Sequence, residues 1–171
     1  LNVAEEAEGD FMQRERENKI PETLISLGFI FLIGLLTFLP LITQLGYYRD
    51  DWHVAWAGKT QGANQIINLH KTDRPFMGVT YALTYMVLGD NPLSWQIYSL
   101  GVRFVGVLIF YYLVRALWPE QRMAISLMTL LFMLYPGFLQ MPTASAYQNH
   151  LVGFAFGLLS IYLTIVSSKT E

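Results

Sequence analysis

The chain has no cysteine in its 171 residues, which excludes a disulfide framework, a thiolate nucleophile and a cysteine-ligated zinc. It also lacks a Walker A motif, a GxGxxG turn and an Asn-x-Ser/Thr sequon. No block of lysine and arginine is present, so nucleic acid is not an expected partner. The three histidines, His53, His70 and His150, have no metal-ligand spacing. Charge is scarce too once the first 22 residues are set aside. That segment holds seven acids against three bases, and the following 149 residues carry only 14 charged side chains, eight basic and six acidic. The net charge of −2 therefore averages an acidic tail over 1–22 and a sparsely charged body.

What fills the body is hydrocarbon. With 53% hydrophobic and 15% aromatic residues overall, its uncharged runs exceed what a soluble core helix needs. Thr23 to Tyr48 is 26 residues without a charge and Met123 to Ser168 is 46, against about 20 apolar residues for one helical crossing. The longer run must cross twice, broken by Tyr135-Pro136-Gly137 and by the polar stretch from Met141 to His150. Leu93 to Trp118 is a further apolar stretch, with Arg115 placed to snorkel and Arg103 lying deeper. The expected fold is an all-α polytopic membrane bundle of about four transmembrane helices. Its expected segments are an acidic cytoplasmic tail (1–22), spans over 23–45, 93–118, 123–139 and 151–168, a long outer loop (46–92) and a second outer loop (140–150).

The tail is acidic where a signal peptide is basic, and no small-residue cleavage site follows the first span, so that span is read as an uncleaved helix. Basic residues near span ends set the orientation. An amino terminus inside leaves Arg14, Arg16, Lys19, Arg115, Arg122 and Lys169 on the cytoplasmic side and Arg49, Lys59, Lys71 and Arg74 outside. The expectation is a multi-pass protein of the cytoplasmic membrane with its functional loop outside. A start at Leu1 and an end at Glu171, just after a span, read as a processed or partial chain.

The 46–92 loop carries the chemistry. It opens Tyr47-Tyr48-Arg49-Asp50-Asp51-Trp52-His53, two adjacent carboxylates between aromatic anchors at the water boundary, where pKa values rise toward a general base's range. The plainer reading is a solvated loop start with belt aromatics. His53 to Leu69 contains Val54, Trp56, Ile66, Ile67 and Leu69 among polar residues, which suits one or two interfacial helices. After His70-Lys71-Thr72-Asp73-Arg74-Pro75, the 14 uncharged residues Phe76 to Gly89 are short for a span and suit a re-entrant or interfacial helix; a crossing there would instead invert everything after it and put the two outer loops on opposite faces.

These features resemble the amino-terminal part of the GT-C glycosyltransferases, of the dolichyl-phosphate-mannose mannosyltransferase and aminoarabinose-transferase type. Asp50, Asp51, Trp52, Arg74, Pro75, Gly89, Trp95 and Tyr98 carry the likeness. The resemblance implies a membrane enzyme that moves a sugar from a polyprenyl-phosphate donor to an acceptor outside the membrane, with membrane lipid around it. It implies Asp50, then Asp51, as catalytic base. Arg74, Lys71, Arg49 and Arg103 are the cations available to a leaving phosphate, with His53 and His150 as further substrate contacts. The plain alternative for Arg74 is an ion pair with Asp73 or Asp50, and for His150 a helix-entry residue. Many members of that family place an acidic residue in the second outer loop. Ala146-Tyr147-Gln148-Asn149-His150 has none, so no divalent metal and no cofactor are expected.

Gly153 and Gly157 form a GxxxG that permits close helix approach, either within the bundle, the favoured reading, or in a homodimer or with further subunits. Four spans are fewer than the resemblance implies. The competing expectation is therefore a non-enzymatic integral membrane subunit of a larger complex that keeps the helix arrangement and binds lipid or pigment through His150.

Overall fold

The computed structural model describes residues 22–135 and 144–169, and among them the chain is all-helical, with no strand. The elements in order are α1 (Glu22–Leu41), α2 (Asp51–Gln61), α3 (Ala63–His70), α4 (Pro75–Leu88), α5 (Pro92–Leu117), α6 (Arg122–Met133) and α7 (Ala144–Ser168). Helices α1, α5 and α7, of 20, 26 and 25 residues, are long and apolar enough to cross a membrane. At 1.5 Å per residue α5 and α7 reach about 37–39 Å, more than the roughly 30 Å hydrocarbon core.

The two shorter apolar helices differ from this set. The 14 residues of α4 extend about 21 Å, short of a crossing, and its outward side chains Phe76, Met86 and Val87 are exposed by 80%, 72% and 84%. A helix this apolar on its open face lies stably at a membrane surface. The helix α6 has 12 residues where a span over 123–139 is expected, ending at Met133, and 136–139 fall outside the described residues. The helix α7 differs in the other direction. It begins at Ala144, so Ala144–His150, expected in a loop, form its first two turns.

Backbone punctuation sets the boundaries. Gly62 ends α2 at φ 81° and Gly89 ends α4 at φ 68°, the left-handed region where a side chain is penalised and glycine is not. Asn91 caps α5 by accepting from Leu93 N at 3.0 Å, with Pro92 at the first helical position. Trp95, 1% exposed, donates from Nε1 to Gly89 O at 3.0 Å and locks the α4–α5 turn.

Two bodies result. In the bundle, Ser99 Oγ donates to Ala144 O at 2.8 Å near the start of both helices and Lys169 donates to Ala116 O near their ends, so α5 and α7 run parallel. The helix α1 runs against them, with Phe38 beside Arg103 at one end and Thr23 beside Arg115 at the other. Ile30, Phe38, Leu100, Val107 and Met133 form the central core of α1, α5 and α6. Phe132 stacks on Phe110 at 4.3 Å and Phe154 at 5.7 Å, joining α6 to both α5 and α7. Gly153 and Gly157, expected to seat another span of the chain, instead have open space where a Cβ would stand, with nothing within 4 Å among the described residues.

The second body is a cap of α2, α3 and α4 over one end of the bundle. Val54, Ala57, Ile66, Tyr81 and Ala82 pack there on Trp95 of α5 and Ala144 of α7. The close approach of α3 and α4 depends on Gly78, where a Cβ would meet Ile67 O and His70 Cβ, each at 3.1 Å. Because Ile67 O is backbone, the clash cannot be relieved by a side-chain rotation. Gly78→Val is expected to destabilise the protein by about 1–3 kcal/mol, read as a lowered thermal unfolding midpoint in detergent, with Gly101→Ala, where nothing lies within 4 Å, as the silent comparison.

Candidate functional site

Where the cap meets α7, a cavity of about 410 Å³ opens between three walls. Arg49, Asp50 and His53 line it from the start of α2, His70, Asp73, Arg74 and Tyr81 from α3 and α4, and Tyr147 and His150 from α7. Five of the eight residues expected at a site, Arg49, Asp50, His53, Arg74 and His150, therefore share one pocket although they span a hundred positions of sequence.

The adjacent carboxylates have opposite fates. Asp50 sits at the N-cap position of α2, makes no capping bond with its side chain, and is exposed to the cavity. Asp51 is 1% exposed and does not line the cavity. Its Oδ1 accepts from Ala146 N at 2.6 Å, across 95 positions, and its Oδ2 from Tyr48 N at 3.3 Å. A helix begins with four backbone N–H groups that have no partner within it, and Asp51 supplies the acceptor that α7 lacks locally. Burial pushes its carboxyl from the ordinary 3.8 up to about 6, against the N–H groups of Ala146, Tyr48 and Ser145, which stabilise the anion, while the charge of Asp50 adds to the rise.

Other bonds fix the same junction. Tyr81, 2% exposed, donates from its hydroxyl to Ala146 O, and burial raises its pKa. Thr80 donates to Asn149 Oδ1 at 2.9 Å. The first turn of α7 is thus held from α2, α4 and α5 together, and its Tyr147 and His150 face α2 across the pocket as a consequence, with their rings 4.9 Å apart. Arg49 has φ 48°, a left-handed conformation a non-glycine residue adopts at a cost. The turn that places Asp50 and Asp51 is closed by Asp51 N donating to Tyr48 O at 3.0 Å.

Three expected residues lie apart. Lys71 is exposed in the turn after α3 and is not part of the lining. Arg103 is 4% exposed within α5, its guanidinium 4.4 Å from the centre of the Phe38 ring. It borders a separate small cavity with Leu151 and Phe154. Asp51 is the third. Conversely, His70, Asp73, Tyr81 and Tyr147 line the pocket without having been expected there. The spacing of His70, Asp73 and Arg74, around one tight turn between helices, was the available signal for two of them. Tyr81 and Tyr147 had none, because apolar segments are rich in tyrosine for packing reasons. Arg74 does pair with Asp73, at 3.6 Å with both side chains more than half exposed, a bridge of small strength that leaves the guanidinium available. Among the described residues, no three carboxylate or imidazole groups converge in a metal-binding arrangement.

Because the folded Asp51 binds its proton more tightly than the unfolded chain does, stability falls as pH rises from about 4 to about 6 and is regained on acidification. Asp51→Asn is expected to flatten this slope in a pH series of unfolding midpoints. A slope of the same size in the variant places its origin in another group.

The chain matches no protein-family model, no curated protein sequence and no solved structure.

Proposed function

We propose that the chain is a membrane glycosyltransferase, or the amino-terminal portion of one, that transfers a sugar from a polyprenyl-phosphate donor to an acceptor on the outer face of the membrane. The observation that carries this reading is the sharing of one pocket by Arg49, Arg74 and two solvent-reached carboxylates, Asp50 and the Arg74-paired Asp73, at the end of a bundle of membrane-length helices. Glycosyl transfer from a lipid phosphate needs these elements. An acceptor hydroxyl gives its proton to Asp50 as its oxygen bonds to the anomeric carbon, and the bond from that carbon to the phosphate oxygen breaks. The phosphate leaves with the electron pair toward the arginines. Arginine suits that role because its planar fork stays charged and grips two phosphate oxygens at once.

Asp50 is the base in this reading and Asp51 a positioning residue, since its oxygens are committed to Ala146 and Tyr48. The apolar stripe of α4, with Phe76 and Val87 outermost, rests on the outer leaflet and keeps the pocket mouth at the depth of lipid headgroups. Arg103 supports the bundle from within, and Lys71 is left to contact headgroups.

A second reading has its own observation. An apolar groove of about 440 Å³ runs between α5 and α7, bordered by Tyr98, Gly101, Val105, Val152 and Phe156, and Gly153 and Gly157 are open besides. Both suit a membrane subunit that seats a lipid or another helix.

Transfer of radiolabelled sugar from undecaprenyl-phosphate donors in membranes separates the two. Asp50→Asn is expected to lower turnover by about 10²–10⁴-fold, the usual contribution of general base catalysis, with folding unchanged, and Arg74→Ala to weaken donor binding. Transfer undiminished in Asp50→Asn removes Asp50 as the base, and no transfer by the wild type leaves the subunit reading standing.

A further inference from the structure

The α3–α4 wall of the pocket contains a group whose hydrogen-bonding sense is set by its own helix. His70 Nδ1 lies 3.1 Å from Ile66 O, one turn back. A carbonyl oxygen only accepts, so in the neutral ring the proton sits on Nδ1 and the lone pair is on Nε2, at the opposite edge. The ring is held in that orientation by this contact and by Tyr81. It lies against Tyr81 with centroids 5.2 Å apart, and Tyr81 is itself fixed by its bond to Ala146 O. Gly78 leaves the space that lets His70 Cβ approach α4. Arg74 N donates to His70 O at 2.9 Å, closing the turn that brings the two side chains into one wall of the cavity.

The pocket is therefore lined, along with a cation suited to phosphate, by a histidine whose Nδ1 is committed to its own helix and whose Nε2 is left to accept. We infer that His70 recognises the sugar of the lipid-linked donor by accepting, at Nε2, a hydrogen bond from a hydroxyl close to the phosphate. An accepting nitrogen in the same wall as Arg74 selects a hydroxyl over a second phosphate oxygen, which has no proton to donate. The inference rests on the glycosyltransferase reading and names a substrate contact within the same pocket.

Two substitutions divide the ring's two roles. His70→Asn keeps an amide nitrogen near the position of Nδ1, able to donate to Ile66 O, and has nothing where Nε2 stood. His70→Gln extends its amide to the position of Nε2 and gives up the bond to Ile66. Binding to the purified protein in nanodiscs is measured for undecaprenyl phosphate alone and for undecaprenyl phosphate bearing mannose, glucose or aminoarabinose. The expected result is that His70→Asn weakens binding of the best sugar-bearing lipid about tenfold, the scale of one hydrogen bond. His70→Gln stays within about threefold of the wild type, and undecaprenyl phosphate alone binds all three proteins equally. Nitrogen NMR of labelled histidine in the wild type is expected to show the proton on Nδ1 and a change at Nε2 only with the sugar-bearing lipid.

A merely structural His70 gives the opposite order, His70→Asn tolerated and His70→Gln impaired, or a loss of undecaprenyl phosphate binding in step with that of the sugar lipid. Either outcome overturns the inference while leaving the transferase reading intact. If the wild type binds none of these lipids, the transferase reading fails and this inference fails with it.

Discussion

The hydrogen bond from Ala146 N to Asp51 Oδ1 holds together the two bodies of this protein. One partner lies at the first turn of the cap and the other at the first turn of a membrane-length helix, and each needs the other. The N-terminal N–H groups of α7 require an acceptor, and a carboxylate buried to 1% exposure requires donors. The bond satisfies both demands at the place where the chain leaves the bundle's packing and enters the pocket. Tyr81 and Ser99 reach carbonyls of the same turn, at Ala146 and Ala144, so the turn is gripped at its donors and its acceptors alike.

That grip explains why neighbouring aspartates do different things. Successive residues at the start of a helix point about 100° apart, so when Asp51 turns inward to α7, Asp50 is directed to the cavity between α2 and α7. The rise of the Asp51 carboxyl to about 6 is a measure of the conflict at the junction. Removal from water disfavours the anion more strongly than the backbone donors favour it. Such a group costs stability at neutral pH, and its return is geometric: it fixes the spacing between the wall with Arg49, Asp50 and His53 and the wall with Tyr147 and His150.

Hydropathy made the coarse architecture legible. The helices α1, α5 and α7 coincide with long uncharged or nearly uncharged runs, and the shortness of α4 follows from a run of 15 uncharged residues bounded by Arg74 and Asp90. The start of α7 was not legible. Ala146 to His150 is polar and follows Pro142, which reads locally as a loop, and the acceptor that lets a helix begin there is 95 positions away. Nor was the burial of Asp51 beside an exposed Asp50, since both occupy the same local sequence and differ in what α7 brings to them. The histidines lacked any spacing to link them, yet His53, His70 and His150 line one cavity because three helices meet there. For Gly153 and Gly157 the local pattern permitted close packing but could not say whether a partner helix was present on that face.

The central claim is that Asp51 seats α7 and thereby forms the pocket, while Asp50 plays no part in holding it. Residue-resolved amide hydrogen exchange in nanodiscs, comparing wild type, Asp51→Ala and Asp50→Ala, tests it most directly. The predicted result is loss of protection at Ser145 and Ala146 in Asp51→Ala, with Asp50→Ala indistinguishable from wild type over the same turn. Equal protection of that turn in all three proteins, or its loss in Asp50→Ala, would contradict the account.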